Sequence, residues 1–510
     1  MKGLILGIDL GTSGVKCVLY DPEGKILGLG RASFGELASP LPGWAQSDPE
    51  CWWRSTLTSL RQACRAARVS AADVTAVGLS VFFPAVIAMD STARALYPAI
   101  LYNDQRSLAQ VRFIQNRVSA DEHRRITGNV LVPGTAAVTS ICWLREQEPG
   151  AYGAARVVGF ANTFMGARLT GEFCTDPTMA TFSGLADIRE PERWSEPLCR
   201  ALDIEQGLLP RIAASSEVIG GVTASASRET GLREGTPVVC GCGDAVASTF
   251  GTGTLEADTV VIISGTTDCI TSPMQQPTED LRWLNCAYVR PRSWLGIGAV
   301  TSSGASVQWF LRELLPESPR ARHHRVHELA AGSPAGANGL LFLPYLYGER
   351  TPIWDPLARG LFLGLTGSTR RSDMARAVLE GVAFADRDAV SCLEEARKRK
   401  TLEIMTAGGG TRSALWNQIR ADVLQKPLHV CAFQETGSLG AMLLAGLGTG
   451  LFSSAEEAAE VARSHAQERV VEPDRTLAGL YEQMFALYRK AYSSTCEIMH
   501  ALAQTGRPSS

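Results

Sequence analysis

A strand-turn-strand stretch near the start of the chain, and a second one of the same kind half a chain later, narrow the possible folds more than anything else in the sequence. Leu4 to Leu10 and Val15 to Tyr20 are apolar runs that flank a turn of Gly11, Thr12, Ser13 and Gly14, and a third run follows the turn Asp21-Pro22-Glu23-Gly24. A strand followed by a helix would place an anion on the helix N-terminus. A strand followed by a strand instead leaves a glycine-bearing hairpin loop, whose successive backbone N–H groups can converge on an anion. Asp9, at the end of the first strand, sets a carboxylate beside that loop, where it is placed to hold a hydrated Mg²⁺ on a polyphosphate. Lys16 reaches phosphate only if its side chain turns inward. Taken alone, these residues fit an ordinary hairpin turn with a solvated Asp9 equally well. The second copy breaks the tie. Asp258 to Ser272 reads DTVVIISGTTDCITS, with Gly265-Thr266-Thr267 at the turn, and two such loops imply two similar domains facing one cleft, each gripping one end of the polyphosphate.

A chain of 510 residues is too long for one core, and the natural division is into domains of residues 1–250 and 251–510. A formal charge of −3 offers no surface for nucleic acid. The basic run Arg397 to Lys400 follows Leu393-Glu394-Glu395-Ala396 and is expected to be a solvated helix end. No apolar run reaches the ~20 residues of a membrane span, and the first residues enter a strand without a signal-peptide pattern, so a cytoplasmic protein with no membrane partner is expected. The thirteen cysteines are odd in number and scattered through apolar runs, as reduced, buried thiols are. Cys240-Gly241-Cys242 lacks a second pair for zinc, and His323, His324 and His327 suggest an exposed helix face more than a metal site. A homodimer is compatible with the sequence.

Several stretches offer side chains for chemistry. Gly43-Trp44-Ala45-Gln46 leads into a helix from about Glu50 to Ala67, and Trp44 either stacks on the C–H face of a sugar or plugs a core edge. Val74 to Asp90 is a pair of strands with a turn near Phe83-Pro84. After Asn103, Asp104 and Arg106 make a structural ion pair or meet hydroxyls, the first being favoured. Ala161 to Asp176 suggests a strand-and-loop insert. Pro237 to Cys240 is a strand that enters glycines, after which Asp244 opens an alanine-rich helix; on its own it is a good N-cap. Thr301 to Leu311 is a small-residue turn into a helix, and Leu341 to Leu365 is a Gly- and Pro-rich loop in which Glu349 and Arg350 are architectural. A helix from Ser372 to about Glu395 packs Met374, Val378, Val382 and Ala385 on one face. A strand ends in Gly408-Gly409-Gly410 and a helix begins at about Ser413, so that a flat adenine or ribose can approach backbone closely. Glu435 to Ala441 opens a helix with a glycine- and alanine-rich face. From Ala455 the chain is helical, ending in a polar tail from Thr505.

The two hairpins, GWAQSDP at 43–49, ITGNVLVPGTAAVTSICWL at 126–144, LTGEFCTDPTMA at 169–180, GCGDA at 241–245, LFLPYLYGERTPIWDPLARGLFLGL at 341–365 and GGGTRSALWNQ at 408–418 together resemble the FGGY family of carbohydrate kinases, most of all its xylulose kinases, from Gly3 to about Phe452. The resemblance implies an α/β fold of two domains, the actin-like ATPase (ribonuclease H-like) fold, with ATP and Mg²⁺ as cofactors and a small sugar or polyol as partner. It implies Asp244 as general base, Asp9 and Asp244 as metal ligands, and a nucleotide site from Gly11, Thr12, Ser13, Lys16, Gly265, Thr266, Thr267, Gly304, Gln308, Gly408, Gly409, Gly410 and Ser413. Trp44, Phe83, Pro84, Asn103, Asp104 and Asp244 fall at substrate positions. The match departs from the family where it matters for specificity. Phe82-Phe83-Pro84 stand where xylulose kinases carry Gln-Met-His, and Ala245 stands for a usual Asn or Gln, so side-chain hydrogen bonds to sugar hydroxyls are lost. Ser140 replaces a lysine. The expected activity is ATP-dependent phosphorylation of a ketopentose such as D-xylulose, with another ketose, a polyol (glycerol, erythritol) or a sugar acid as alternatives, and a non-catalytic nucleotide-binding regulator as the alternative of another class. A carboxylate at a helix N-terminus is expected to have a depressed pKa, which a loose phosphoryl-transfer transition state tolerates in a base.

Overall fold

Leu4–Leu10 is apolar on both faces except at Asp9, which suits a strand with neighbours on either side. It pairs antiparallel with Gly14–Tyr20, Asp9 opposite Lys16, and parallel with Val74–Val81, Asp9 beside Ser80. The computed structural model describes residues 3–35, 39–315, 324–465 and 469–505. It divides into two compact units, one of Met1–Leu255, Met274–Leu295 and Glu435–His465, the other of Glu256–Pro273, Gly296–Gln434 and Ala466–Ser510. The units are therefore interleaved in sequence.

In the first unit the main sheet runs Val218–Gly221, Pro237–Val239, Val74–Val81, Leu4–Leu10, Gly14–Tyr20, Ile26–Ser33, with Cys242–Gly243 also pairing on Val74–Val81. The helix Pro49–Ala67, capped by the Asp48 side chain on Glu50 N–H, buries Trp52, Trp53, Leu60 and Ala63. A smaller sheet orders Gln46–Ser47, Ala99–Leu101, Ala85–Met89 and Val157–Gly159. The two strands expected within Val74 to Asp90 are present, but they are not a hairpin: the chain leaves one sheet at Val81 and joins the other at Ala85. Phe82-Phe83-Pro84 is the crossing. Ala161–Thr170 is a buried helix ended by Gly171 in the left-handed region (φ 82°), not a strand and loop; its apolar residues carry no period-2 alternation to hold a strand.

The second unit repeats the hairpin arrangement. Thr259–Ser264 pairs antiparallel with Asp268–Met274 and parallel with Glu403–Ala407, and Leu428–Val430 and Arg469–Val471 extend the sheet. The helix Arg371–Arg397 buries Val378, Val382 and Ala385 as expected, Met374 only in part, together with most of its circumference. Arg397 is not a solvated end, because its guanidinium reaches Ser272 Oγ and Thr401 Oγ1, each at 2.7 Å. Beyond Ala455 the helix Ala455–His465 is followed by the strand Arg469–Val471 and the helix Ala478–Thr505. Of the polar tail, residues 506–510 lie outside the described residues. The thirteen cysteines are free thiols, and among the described residues no helix is long and apolar enough to cross a membrane.

Candidate active site

The first loop turns because Gly11 N–H donates to Gly14 O at 2.9 Å, which leaves the N–H groups of Thr12 and Ser13 without a partner among the described residues. Asp9 lies two residues before it. Ser80 Oγ donates to Asp9 Oδ1 at 2.8 Å, and Lys16 Nζ, opposite in the register, is 3.9 Å from Asp9 Oδ2. The Lys16 ammonium does turn toward the acids, and its stronger partner is Glu435, 3.0 Å away, which also pairs with Arg31. Glu435 precedes the helix Thr436–Gly448, whose glycines let it press on the sheet. A Cβ at Gly437 would lie 2.9 Å from Asp9 Oδ1, so only glycine lets this helix N-terminus approach the carboxylate.

Cys242–Gly243 brings the chain alongside Val74–Val81, and Asp244 is the first residue of the helix Asp244–Gly251, with Gly243 at the cap. Asp244 Oδ1 accepts Ala245 N–H at 2.8 Å. Its pKa is not depressed by the helix terminus but pushed up to about 7, by burial first and then by the charge of Asp9. Burial likewise raises Asp9, against the opposing pull of Lys16 and the Ser80 hydrogen bond. The helix field is worth about 0.3–1 kcal/mol, and desolvation with a like charge outweighs it. Asp9 and Asp244 are thus two interacting carboxylates, each partly open within otherwise buried runs.

One wall beside Asp244 is apolar. Phe82 is buried edge-on to Trp52 at 5.3 Å, while Phe83 is half-buried, 4.6 Å from Phe182 between centroids. The Phe83 ring occupies the place where a Cβ at Gly243 would sit, 1.8 Å from it. Pro84 is buried behind it. The opposite side of Gly243 is held by a hydroxyl: its N–H donates to Thr178 Oγ1 at 3.0 Å. Thr178 in turn donates to Asp176, which also takes Ser215 Oγ at 2.7 Å and Asn162 Nδ2 at 3.1 Å. Burial raises Asp176 to about 6 against these bonds. This Asp176–Thr178 brace is missing from the sequence-based site, although LTGEFCTDPTMA was visible as a segment.

The other expected substrate residues divide. Trp44 is half-buried, with the Arg106 guanidinium 3.7 Å over its ring and Trp143 edge-on at 5.4 Å. Asn103 is exposed. Asp104 is fully buried and has no free oxygen: Oδ2 accepts Ala45 N–H at 2.6 Å, Oδ1 accepts Arg106 N–H at 2.8 Å, and the guanidinium closes a pair at 2.8 Å. Its place among the substrate ligands is corrected to the structural ion pair, because every lone-pair direction is taken by the fold.

In the second unit Gly265, Thr266, Gly304, Gln308, Gly409, Gly410 and Ser413 line one cavity of about 690 Å³. Gly265 N–H closes its turn on Thr267 O at 3.1 Å, and the first amides of the helix Gly304–Leu314 donate to Gly265 O (3.1 Å) and Thr266 O (3.0 Å). Thr267 does not line the cavity; its hydroxyl donates to Thr301 O at 3.0 Å and fixes the loop from behind. Gly408, in the left-handed region (φ 94°), turns the chain beneath, and Ser413 caps the helix Ala414–Leu424. The sequence did not point to Trp416 or His327 here. Their rings are 5.7 Å apart and both line the cavity, so His327 is more than an exposed helix residue; His323 lies outside the described residues.

Beneath this cavity Arg420 is fully buried. It donates to Ser264 Oγ at 2.9 Å and Ser303 Oγ at 3.3 Å, pairs with Asp268, and is 3.3 Å from Asp386. One guanidinium thereby pins both flanks of the second loop and the start of the helix Gly304–Leu314. Burial, and next the charge of Asp268, push Asp386 well above the usual carboxylate range. Glu349 holds Thr301 N–H at 2.7 Å, an architectural role, and burial raises it to about 7.

The site has recognisable relatives. The model of the FGGY family of carbohydrate kinases, N-terminal domain, matches residues 4–251, and that of its C-terminal domain matches residues 260–449. A xylulose kinase of Lactococcus lactis subsp. lactis (strain IL1403) is 28% identical over 507 residues, 98% of each chain. A glycerol kinase of Thermococcus kodakarensis is 30% identical over 494 residues, 94% of this chain and 96% of that one. The crystal structure of a ligand-bound xylulose kinase from Lactobacillus acidophilus superposes with a TM-score of 0.88 at 28% identity, covering 97% of this chain and 98% of that one. With both halves matched in order and the likeness running nearly end to end, the chain belongs to the FGGY family of carbohydrate kinases.

Proposed function

We propose that this kinase transfers the γ-phosphoryl group of ATP to a hydroxyl of a ketopentose, D-xylulose first. The observation that carries the reading is the interacting pair Asp9 and Asp244 beside the open amides of Thr12 and Ser13. Asp244 accepts the proton of the attacking hydroxyl, a task for which a loose phosphoryl-transfer transition state asks orientation more than basicity. In the first unit Thr12 and Ser13 are the donors to phosphate oxygens, and Lys16 offsets phosphate charge while Glu435 holds the lysine in place; in the second unit the corresponding donor is Thr266. Gly408, Gly409 and Gly410 let a flat nucleoside approach the backbone, with Ser413, Gly304 and Gln308 around it.

The donor set suits Mg²⁺. Asp9 and Asp244 are hard oxygen ligands whose mutual repulsion a divalent cation would relieve. When bound, the ion neutralises charge on the phosphates.

A second reading keeps the chemistry and changes the acceptor. Phe83, Pro84 and Ala245 give the side of the pocket next to Asp244 no hydrogen-bonding side chain, which favours a less polar polyol, and a glycerol kinase is among the relatives. The reading as a non-catalytic regulator is disfavoured by the intact Asp9 and Asp244. ADP release measured with pentuloses, hexuloses, pentitols, glycerol and aldonic acids decides between them. The first reading predicts the highest kcat/KM for a pentulose; a polyol as best acceptor selects the second, and no acceptor-dependent ADP with any of them refutes both.

A further inference from the structure

We propose a second, separate metal site in the second unit, formed by Asp355, Cys496 and His500 and suited to Zn²⁺. Cys496 and His500 lie four residues apart on the helix Ala478–Thr505 and so share a face. Asp355 comes from the Gly- and Pro-rich segment that packs against it. His500 Nε2 is 2.8 Å from Asp355 Oδ2, Cys496 Sγ is 3.5 Å from the same Nε2, and Cys496 Sγ is 3.8 Å from Oδ2. Zinc bonds of about 2.3 Å to sulfur and about 2.0 Å to nitrogen and oxygen set tetrahedral donor separations of about 3.3 to 3.6 Å. The three atoms stand within about half an ångström of those separations before any ion enters.

Neither a nucleophile relay nor a plain ion pair fits the cluster as well. A relay needs the imidazole to bridge thiol and carboxylate through its two different nitrogens. Here both partners face Nε2, so the donors converge on one point. A pair of Asp355 and His500 accounts for two of the groups and leaves the thiol only as a weak donor, to Asp355 Oδ2 at 3.8 Å and to Tyr492 Oη at 3.6 Å.

The surroundings are those of a site with an oriented carboxylate and a way in. Leu357 N–H holds Asp355 Oδ1 at 2.9 Å, and Tyr492 Oη, one turn before Cys496, donates to Oδ2 at 2.8 Å. Such contacts to the outer lone pairs fix ligand direction. Cys496 is half-buried and the His500 side chain is 39% exposed, so a water can complete four-coordination. Among the described residues this is the one group of three His, Cys, Asp or Glu side chains with donor atoms so close together. A mixed sulfur, nitrogen and oxygen set prefers Zn²⁺ to Mg²⁺. Binding replaces the thiol S–H by an S–metal bond and releases that proton to buffer. The ion joins the helix Ala478–Thr505 to the Asp355 segment.

The test is a Co²⁺ titration of the chelator-treated full-length protein. One equivalent should produce a thiolate-to-cobalt charge-transfer band and the strong visible bands of a four-coordinate site, both removed by Zn²⁺. Cys496→Ser should abolish the charge-transfer band, and His500→Gln should weaken Co²⁺ binding about tenfold or more. Zn²⁺ should raise the Tm of the parent protein and not of Cys496→Ser, with ATP turnover in Mg²⁺ unchanged in both variants. If Cys496→Ser does not fold, the His500→Gln titration decides alone. No band at saturating Co²⁺, a band undiminished in Cys496→Ser, or undiminished affinity in His500→Gln would overturn the site.

Discussion

Asp244, the base of the proposed mechanism, also weakens the fold that carries it. Its pKa is about 7 in the folded protein against an ordinary 3.8, so the folded state keeps a proton over a range in which the unfolded chain has lost it. The contribution is whole below the ordinary value, falls as pH rises from about 4 to about 7, and is level above. Asp244→Asn removes that loss. In urea titrations without metal or nucleotide, the variant should nearly match the parent at pH 4 and exceed it at pH 8 by about 4 kcal/mol. Equal stability at both pH values would show that neither burial nor the charge of Asp9 raises the Asp244 pKa. Phe83 sets the other limit at this scale. Phe83→Ala removes the ring that covers Gly243 and should raise the sugar KM about tenfold while leaving the nucleotide KM unchanged. Steady-state kinetics with each substrate varied checks both halves of that statement. At this scale the sequence shows the glycine turns of both loops, while Asp9 is singled out only by the second hairpin and Asp244 only by the family resemblance. For Asp104 the structural pair with Arg106 favoured from the sequence is the one that forms; only the substrate position implied by the resemblance fails, because the oxygens face Ala45 and Arg106.

At the scale of elements, the helices Thr436–Gly448 and Ala414–Leu424 position the two loops. Alanine for glycine within a helix normally stabilises by about 1 kcal/mol. Gly437→Ala should do the reverse, lowering both Tm and turnover, because its Cβ would lie 2.9 Å from Asp9 Oδ1. A Tm raised by the substitution would show that the helix stands off from Asp9. Arg420 does for the second loop what Ser80 and Glu435 do for the first. Arg420→Met leaves Asp268 and Asp386 buried without a cation and should cost about 3–5 kcal/mol in denaturant titrations. Arg420→Lys keeps the charge and loses the fork, so it should raise the nucleotide KM with the sugar KM unaltered. These braces escaped the sequence for a physical reason. Asp176, Thr178 and Arg420 are polar residues in mixed segments, and whether such a residue is buried, and against which partner, is decided by segments up to 156 positions away, as with Arg420 and Ser264.

For the molecule as a whole, the duplicated hairpin carries most of what was readable. Each copy pairs antiparallel with its own return strand and parallel with a distant one, Val74–Val81 in the first unit and Glu403–Ala407 in the second. Apolar runs with a glycine turn specify the local hairpin, while the parallel partner depends on long-range pairing that no local pattern encodes. The same limit explains why the segment Glu435–His465, late in the chain, packs with the first unit. It also explains why the cluster of Asp355, Cys496 and His500 is invisible in a sequence that separates its members by 145 positions. The sharpest check on Asp244 as the base of a sugar kinase is phosphorus NMR of the reaction of ATP with D-xylulose, run with the parent protein and with Asp244→Asn beside a titration of each with a non-hydrolysable ATP analogue. The proposed mechanism predicts a sugar phosphomonoester appearing one for one with ADP in the parent, none in the variant, and the same analogue affinity in both. Inorganic phosphate as the sole product, or ester formed by Asp244→Asn at the parental rate, would contradict it.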